Sequence, residues 1–244
     1  MPRGDAALAA SVLSATAYLN AYRLTALCTG PSPARAIRMF RRWSHQTCRR
    51  LGIEIRIAGD RPAGNWLFVA NHRSYLDILV LAAALDVTFL ARDDVSSWRL
   101  IGPTARAMGA VFVDRNVLQT RVRAARSLAR RLCDASVVVF PEGTTGGTTL
   151  PGTFQPGLFR LLHRLQAGVV PVTLRYSRRS AYWVDDVGVD THVRQQVLHG
   201  SPLVASVHIG TPLAPAANGS ALCRRTYDTV AAPIEQFGEF VGPA

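Results

Sequence analysis

Lysine is missing from this sequence altogether, so all 28 basic residues are arginine and the positive charge sits on guanidinium groups alone. Such usage, alanine-rich as well as lysine-free, reflects coding bias as much as function. Cysteine is scarce. The four that occur (Cys28, Cys48, Cys133 and Cys223) are scattered, with none of the close pairs that mark a zinc site or a disulfide framework. Unpaired cysteines suit a reducing compartment. A membrane-spanning run is absent too. Residues 6–19 are mildly apolar, but a span needs about 20 strongly apolar residues. The stretch is shorter, holds Ser11, Ser14 and Thr16, and runs on to Asn20 and Arg23. As a cleaved signal peptide it would have Arg3 as its only leading base, opposed by Asp5. An uncleaved helix lying in or against a membrane is the expectation. No internal repeat is visible.

What remains suffices for one folded domain. The chain has 244 residues, 48% of them hydrophobic, which allows a sizeable core. Only 16 acidic residues oppose the arginines, leaving a formal charge of +12. Such a balance attracts phosphate, whether in a substrate, a membrane surface or a nucleic acid. The arginines fall on amphipathic helices and no nucleic-acid module is recognisable, so a nucleic-acid partner is not expected.

The first helical stretch ends at Pro31-Ser32-Pro33. Residues 34–51 then repeat Ile37, Phe40, Trp43, Cys48 and Leu51 at helical spacing, between Arg35, Arg38, Arg41, Arg42, Arg49 and Arg50. A basic amphipathic helix with aromatics has the composition that binds anionic lipid interfaces. From residue 53 onward, strand patterns alternate with helix patterns. Strands are expected at 53–57, 66–70, 87–91, 110–113, 136–140, 169–174 and 203–209. Helices are expected at 78–85, 97–108, 118–134, 158–166 and 218–241, with a short one at 190–199. Pro171 inside its strand points to an edge position or a bulge. The reading is an α/β fold: a mixed, mostly parallel sheet flanked by helices, with an N-terminal membrane-binding helical appendage. Residues 1–52 form the membrane-associating helices and 53–244 the α/β domain.

One junction organises the rest. The apolar strand at 66–70 stops at Asn71-His72, and Asp77 opens the next helix. Five helical steps turn through roughly 140°, so the two side chains diverge if both are helical. They meet only if His72 lies in the turn and Asp77 in the first helical turn. The carboxylate then accepts from one imidazole nitrogen and leaves the other as a base. A purely structural account exists beside this one. Ser74 followed by Asp77 resembles a capping box, and Asp suits a helix N-terminus. His72, Arg115 and Glu142 each follow a strand at its carboxyl end, where open α/β sheets gather ligands.

Four ordered blocks carry a resemblance: Asn71-His72-x4-Asp77, Gly109-Ala-Val-Phe-Val-Asp-Arg115, Phe140-Pro-Glu-Gly-Thr144 and Val170-Pro-Val172. Together they resemble the glycerolipid (lysophospholipid) acyltransferases, whose founding members are the 1-acylglycerol-3-phosphate acyltransferases. The resemblance covers roughly residues 53–215. It implies transfer of a fatty acyl group from an acyl thioester, acyl-CoA or acyl-ACP, to the hydroxyl of a lysolipid acceptor, with no cofactor and no metal. His72 would be the base and Asp77 its orienting acid. The acceptor's own hydroxyl takes the part of a serine, and no Gly-x-Ser-x-Gly is present. Arg115 would bind an acceptor phosphate and Glu142 a glycerol hydroxyl. Gly143 and Thr144, or the backbone near Asn71, would supply oxyanion donors. Gly109, Phe112 and Pro171 read as structural, and the remaining histidines as ordinary. The expected location is the cytoplasmic face of the cell membrane, peripheral or monotopic, on an anionic surface.

Two positions depart from the pattern. Many phosphate-acceptor members carry Arg after Pro-Glu-Gly-Thr, where this chain has Thr145, and Lys where it has Gln155. Two cations near the acceptor are therefore neutral, as in members that acylate lyso-ornithine lipid. The first expectation for the acceptor is 1-acylglycerol-3-phosphate, giving phosphatidate; the alternative is lyso-ornithine lipid or another lysophospholipid. A catalytically dead lipid-binding protein is disfavoured by the retained His72, Asp77 and Glu142.

Overall fold

Short strands built almost wholly of Val, Leu, Ile and Phe have no wet face to offer, and they set the centre of this molecule. The computed structural model describes residues 3–97, 101–114, 118–184, 188–194 and 202–242. In chain order its elements are α1 (Arg3–Thr29), α2 (Pro33–Arg50), β1 (Ile53–Ala58), β2 (Leu67–Ala70), α3 (Leu76–Ala84), β3 (Val87–Arg92) and α4 (Ile101–Ala107). Then come β4 (Val111–Val113), α5 (Leu118–Asp134), β5 (Ser136–Val139), α6 (Pro156–Arg164), β6 (Val169–Tyr176), the single turn α7 (Val189–His192), β7 (Leu203–Ile209) and α8 (Gly219–Phe237).

Seven strands form one sheet in the order β1-β7-β6-β2-β5-β3-β4. All neighbours are parallel except β6 and β7. Five strands therefore bring their carboxyl ends to one end of the sheet, while β1 and β7 run the other way. Side chains alternate across the strands. Phe68, Val138, Val170 and Leu174 pack with residues of α2 and α3. Leu67, Val69, Val137 and Val139 pack with residues of α5, α6 and α8. β2 and β5 are buried along their whole length, as parallel strands covered on both faces must be.

Pro171 sits in a central strand, not at an edge, and the strand tolerates it for a local reason. Gly210 donates to the Pro171 carbonyl at 2.9 Å, just past the end of β7. The missing proline N–H thus falls where the neighbouring chain is already leaving the ladder.

The N-terminal hairpin differs from expectation in extent and in one contact. α1 continues to Thr29, about 40 Å of helix at 1.5 Å per residue, before Gly30 turns the chain. Trp43 lies against α1, donating to the Ser11 carbonyl at 3.2 Å, so its indole ties the hairpin together. α2 buries Ile37 and Cys48 and packs on α3. The outward side of α1 bears bare leucines among polar residues: Leu13, Leu24 and Leu27 are 71%, 65% and 83% exposed. Among the described residues no helix is long and apolar enough to cross a membrane.

Candidate active site

His72 lies in the turn after β2, and Asp77 is the second residue of α3. This is the one arrangement in which a five-residue separation lets the two meet. His72 Nδ1 is 2.8 Å from Asp77 Oδ2, with His72 17% exposed and Asp77 fully buried. The ring stacks on Phe140 at 4.0 Å and 14°, which blocks its rotation. Nε2 has no hydrogen-bond partner among the described residues and is the nitrogen left for chemistry.

Asp77 is held from four directions. Besides His72, Oδ2 accepts from the backbone N–H of Arg73 at 2.6 Å and of Ser74 at 2.9 Å. Oδ1 accepts from the Tyr176 hydroxyl at 2.6 Å. A carboxylate has acceptor sites only, and here it meets donors only. Burial, followed by the charge of Asp77, raises the Tyr176 phenol well above its ordinary range, so it stays a donor. The capping account is thus half right. Asp77 does satisfy turn N–H groups, and it orients the imidazole with the same oxygen. Asn71 adds a rung to the sheet, its amide exchanging bonds with both backbone groups of Leu174 at 2.7 and 2.9 Å.

Glu142 follows β5 in the adjacent loop. Oε1 accepts from the His72 backbone N–H at 2.7 Å and Oε2 from the Gly152 N–H at 2.6 Å. Its carboxyl is raised above the usual range by burial, which outweighs the lowering by these bonds and by the nearby Arg73 charge. Both oxygens are therefore engaged with backbone, an arrangement that fastens two loops together. At Gly152 there is no room for more: a Cβ would lie 2.9 Å from Glu142 Oε2.

Arg73 is the largest fully buried side chain. Its guanidinium donates to the carbonyls of Thr148 and Thr149 at 2.6 Å each, and more weakly to Gly146 and Leu150. The Gly- and Thr-rich loop after Glu142 is wrapped around this cation, which also lies 5.2 Å from the Tyr182 ring centroid. His192, expected to be ordinary, proves to be a buried clamp. Its Nε2 faces the Tyr182 carbonyl at 3.0 Å and must carry the proton, so Nδ1 accepts from Tyr75 at 2.9 Å. Burial lowers its pKa, which favours that neutral form.

The structure brings His72, Asp77 and Glu142 together at the carboxyl ends of β2 and β5. Gly143 takes the turn at φ 82°, which suits glycine, and its N–H is engaged with Phe140 O at 3.2 Å. Thr144 follows it and is exposed. The backbone N–H groups of His72, Arg73 and Ser74 are all engaged, which removes them as oxyanion donors beside Asn71. Arg115 lies outside the described residues. Sequence reasoning missed Tyr176, Arg73, Gly152 and His192; for Arg73 the position beside His72 was the only signal. Among the described residues no cluster of His, Cys, Asp or Glu could hold a metal ion.

Comparison with known proteins adds four findings. The acyltransferase family model matches residues 52–175. The lyso-ornithine lipid O-acyltransferase of Rhizobium meliloti is 35% identical over 176 residues, 63% of this chain and 59% of that protein. The 1-acyl-sn-glycerol-3-phosphate acyltransferase of Neisseria gonorrhoeae is 32% identical over 132 residues, 52% of this chain and 50% of that protein. This chain thus spans between half and three fifths of these two relatives. In fold it resembles the crystal structure of the 1-acyl-sn-glycerophosphate acyltransferase of Thermotoga maritima. The TM-score is 0.72 at 17% identity, over 99% of this chain and 100% of that one.

Proposed function

This chain belongs to the acyltransferase family, and on that premise we propose that it moves a fatty acyl group from a thioester to the hydroxyl of a lysolipid. The observation that carries the reading is the His72–Asp77 pair at 2.8 Å, with Nε2 left over at the carboxyl end of a buried parallel strand. His72 Nε2 takes the proton of the acceptor hydroxyl. The oxygen attacks the thioester carbonyl, and the tetrahedral intermediate collapses with loss of the thiolate. The imidazolium returns its proton to that sulfur. Asp77 steadies the imidazolium, as the acid does in serine hydrolases. The oxyanion falls to the N–H groups of Thr144 and Thr145, which lie between the engaged N–H groups of Gly143 and Gly146 and are themselves bonded to nothing among the described residues. The thioester is carried by coenzyme A or acyl carrier protein.

For the acceptor, lyso-ornithine lipid is the first choice and 1-acylglycerol-3-phosphate the second. Thr145 and Gln155 stand neutral where a phosphate acceptor calls for cations. The Rhizobium meliloti relative named for lyso-ornithine lipid also matches more of this chain than the Neisseria gonorrhoeae one. The second reading draws on Arg115. The test is transfer from a labelled thioester to the two acceptors side by side. Turnover on lyso-ornithine lipid should exceed that on lysophosphatidate by about tenfold or more, roughly the contribution of one charge-assisted contact. The reverse order returns the acceptor to lysophosphatidate, and transfer to neither removes the proposal.

Glu142 acts as a positioning residue. Glu142→Gln turns one of its two acceptor oxygens into a donor facing a backbone N–H, a mismatch of about 1–3 kcal/mol. The expected result is a kcat lowered roughly 10- to 100-fold with the acceptor KM little changed. A raised KM at unchanged kcat would assign it the acceptor-contact role read from the sequence.

The enzyme works at a membrane surface, held there by the bare leucines on the outward side of α1. Leu24→Asp with Leu27→Asp should cut binding to phosphatidylcholine vesicles by at least about tenfold, as measured by co-sedimentation, because two exposed leucines that would enter the lipid become charged. Unchanged sedimentation would move the contact off this helix.

A further inference from the structure

A second concavity, of about 490 Å³, opens between the N-terminal hairpin and the segment leading into β4. Leu19, Tyr22 and Pro33 form its apolar side, and Arg23, Arg106 and Arg131 its cationic side. No acidic residue lines it. Arg131 has one acid within reach, Asp134 at 3.9 Å, which is 72% exposed. Arg106 donates to the Ser96 carbonyl at 2.5 Å, and Arg23 makes no ion pair among the described residues. The floor is Gly109, the first residue of the second sequence block. A Cβ there would collide with the Arg131 guanidinium, so glycine at this position lets the cation lie flat on the backbone. Gly109 precedes β4, whereas the block's Asp114 follows it. The cavity is therefore at the opposite end of that strand from the residues expected to meet the acceptor.

We propose that this cavity binds the phosphate of an anionic phospholipid head group at the membrane surface. Three arginines line one small volume, and a guanidinium suits phosphate oxygens bidentately. The size lies within the range of small-ligand sites. The apolar wall and the bare Leu24 and Leu27, on the same end of α1 as Arg23, suit the ester and chain region that a free phosphate lacks. The inference rests on the membrane-surface reading above, and deepens it by naming the lipid class and the residues.

The experiment uses the full chain and vesicles of phosphatidylcholine with or without phosphatidylglycerol. R23Q/R106Q removes two charges from the cavity at exposed positions, and R164Q/R225Q removes two exposed charges elsewhere. The cavity pair should lose about tenfold or more of its binding to phosphatidylglycerol vesicles, and the control pair about twofold or less. Neither should change on phosphatidylcholine alone. Equal losses would mean that net charge does the binding, and no loss would mean that the cavity does none; either overturns the proposal. In a second arm, glycerol 3-phosphate is titrated against wild type and the cavity pair without vesicles, following thermal unfolding. A stabilisation that depends on the two arginines would assign the site to a soluble phosphate and overturn the lipid assignment; no such stabilisation supports it. Turnover in neutral detergent micelles separates this site from catalysis. The cavity pair should match wild type there, and a pair inactive in micelles would place the cavity in the catalytic site. A wild type inactive in micelles, with the vesicle result intact, would count against the acyl-transfer reading alone.

Discussion

Replacing His72 with alanine should lower acyl transfer by about 10³-fold or more while leaving the fold and vesicle binding as they are. The rate term comes from losing the general base, typically worth about 10²–10⁴-fold, and no other imidazole stands beside Asp77 among the described residues to replace it. The fold is spared because the turn does not depend on the ring. Asp77 keeps its bonds to Arg73, Ser74 and Tyr176, and the His72 backbone N–H still reaches Glu142. Single-turnover transfer from a labelled thioester, alongside a melting curve, reads both. Turnover within about tenfold of wild type would remove the base assignment.

Asp77→Asn is the sharper experiment, because the surroundings dictate how the amide must sit. Two backbone N–H groups, from Arg73 and Ser74, point at Oδ2 and select the amide oxygen there. The –NH₂ then faces Tyr176, whose hydroxyl can turn to accept. The oxygen therefore still faces His72 Nδ1, and the tautomer that presents Nε2 as a base survives. In serine proteases the same substitution costs about 10⁴-fold because the tautomer is wrong. Here the loss should be smaller, about 10²- to 10³-fold, and should reflect the missing negative charge beside the imidazolium. Asp77→Ala, which also orphans the two N–H groups, should lose a further 1–3 kcal/mol of stability in denaturant titration. A fall of about 10⁴-fold or more for the Asn variant, with wild-type stability, would mean that the backbone does not fix the amide.

What could be read in advance follows from distance along the chain. The His72–Asp77 contact closes over five residues, so helix geometry could state the one condition under which it forms, and the resemblance carried by the four blocks gave it a role. The apolar runs at 66–70, 136–140 and 169–174 declared the strands for the same reason, and the structure then sends Phe68, Val138 and Val170 to one face and Leu67, Val137 and Val169 to the other. The partners that hold the pair come from far away. Tyr176 reaches Asp77 across 99 positions and Glu142 reaches His72 across 70. Nothing local in the sequence marks either contact. Pro171 misled because a proline's ladder position depends on where the neighbouring strand stops, and β7 lies more than thirty residues later. The contact of Trp43 with α1 was not legible, because the composition that seeks a lipid interface also seeks another helix. Glu142 was placed at the site in advance, but its bonds to the backbone N–H groups of His72 and Gly152 were not, since a conspicuous acid in a loop invites a ligand before a backbone amide.

The pairing of β1 with β7 has a consequence for the order in which the molecule can form. Among the described residues, 53–58 find their only strand neighbours at 203–208, and β6 is capped on that side by the same late strand. During synthesis the chain emerges with the hairpin of α1 and α2 first, and β1 must wait for nearly all that follows. Contacts of such long separation close slowly. Until β7 arrives, β1 hangs unpaired and β6 shows an open edge, the kind of surface that recruits other chains. The arginine-rich hairpin is complete long before then. On the membrane-surface reading proposed above, it would settle on lipid while the sheet is still being made, and so keep the waiting strand apart from its copies.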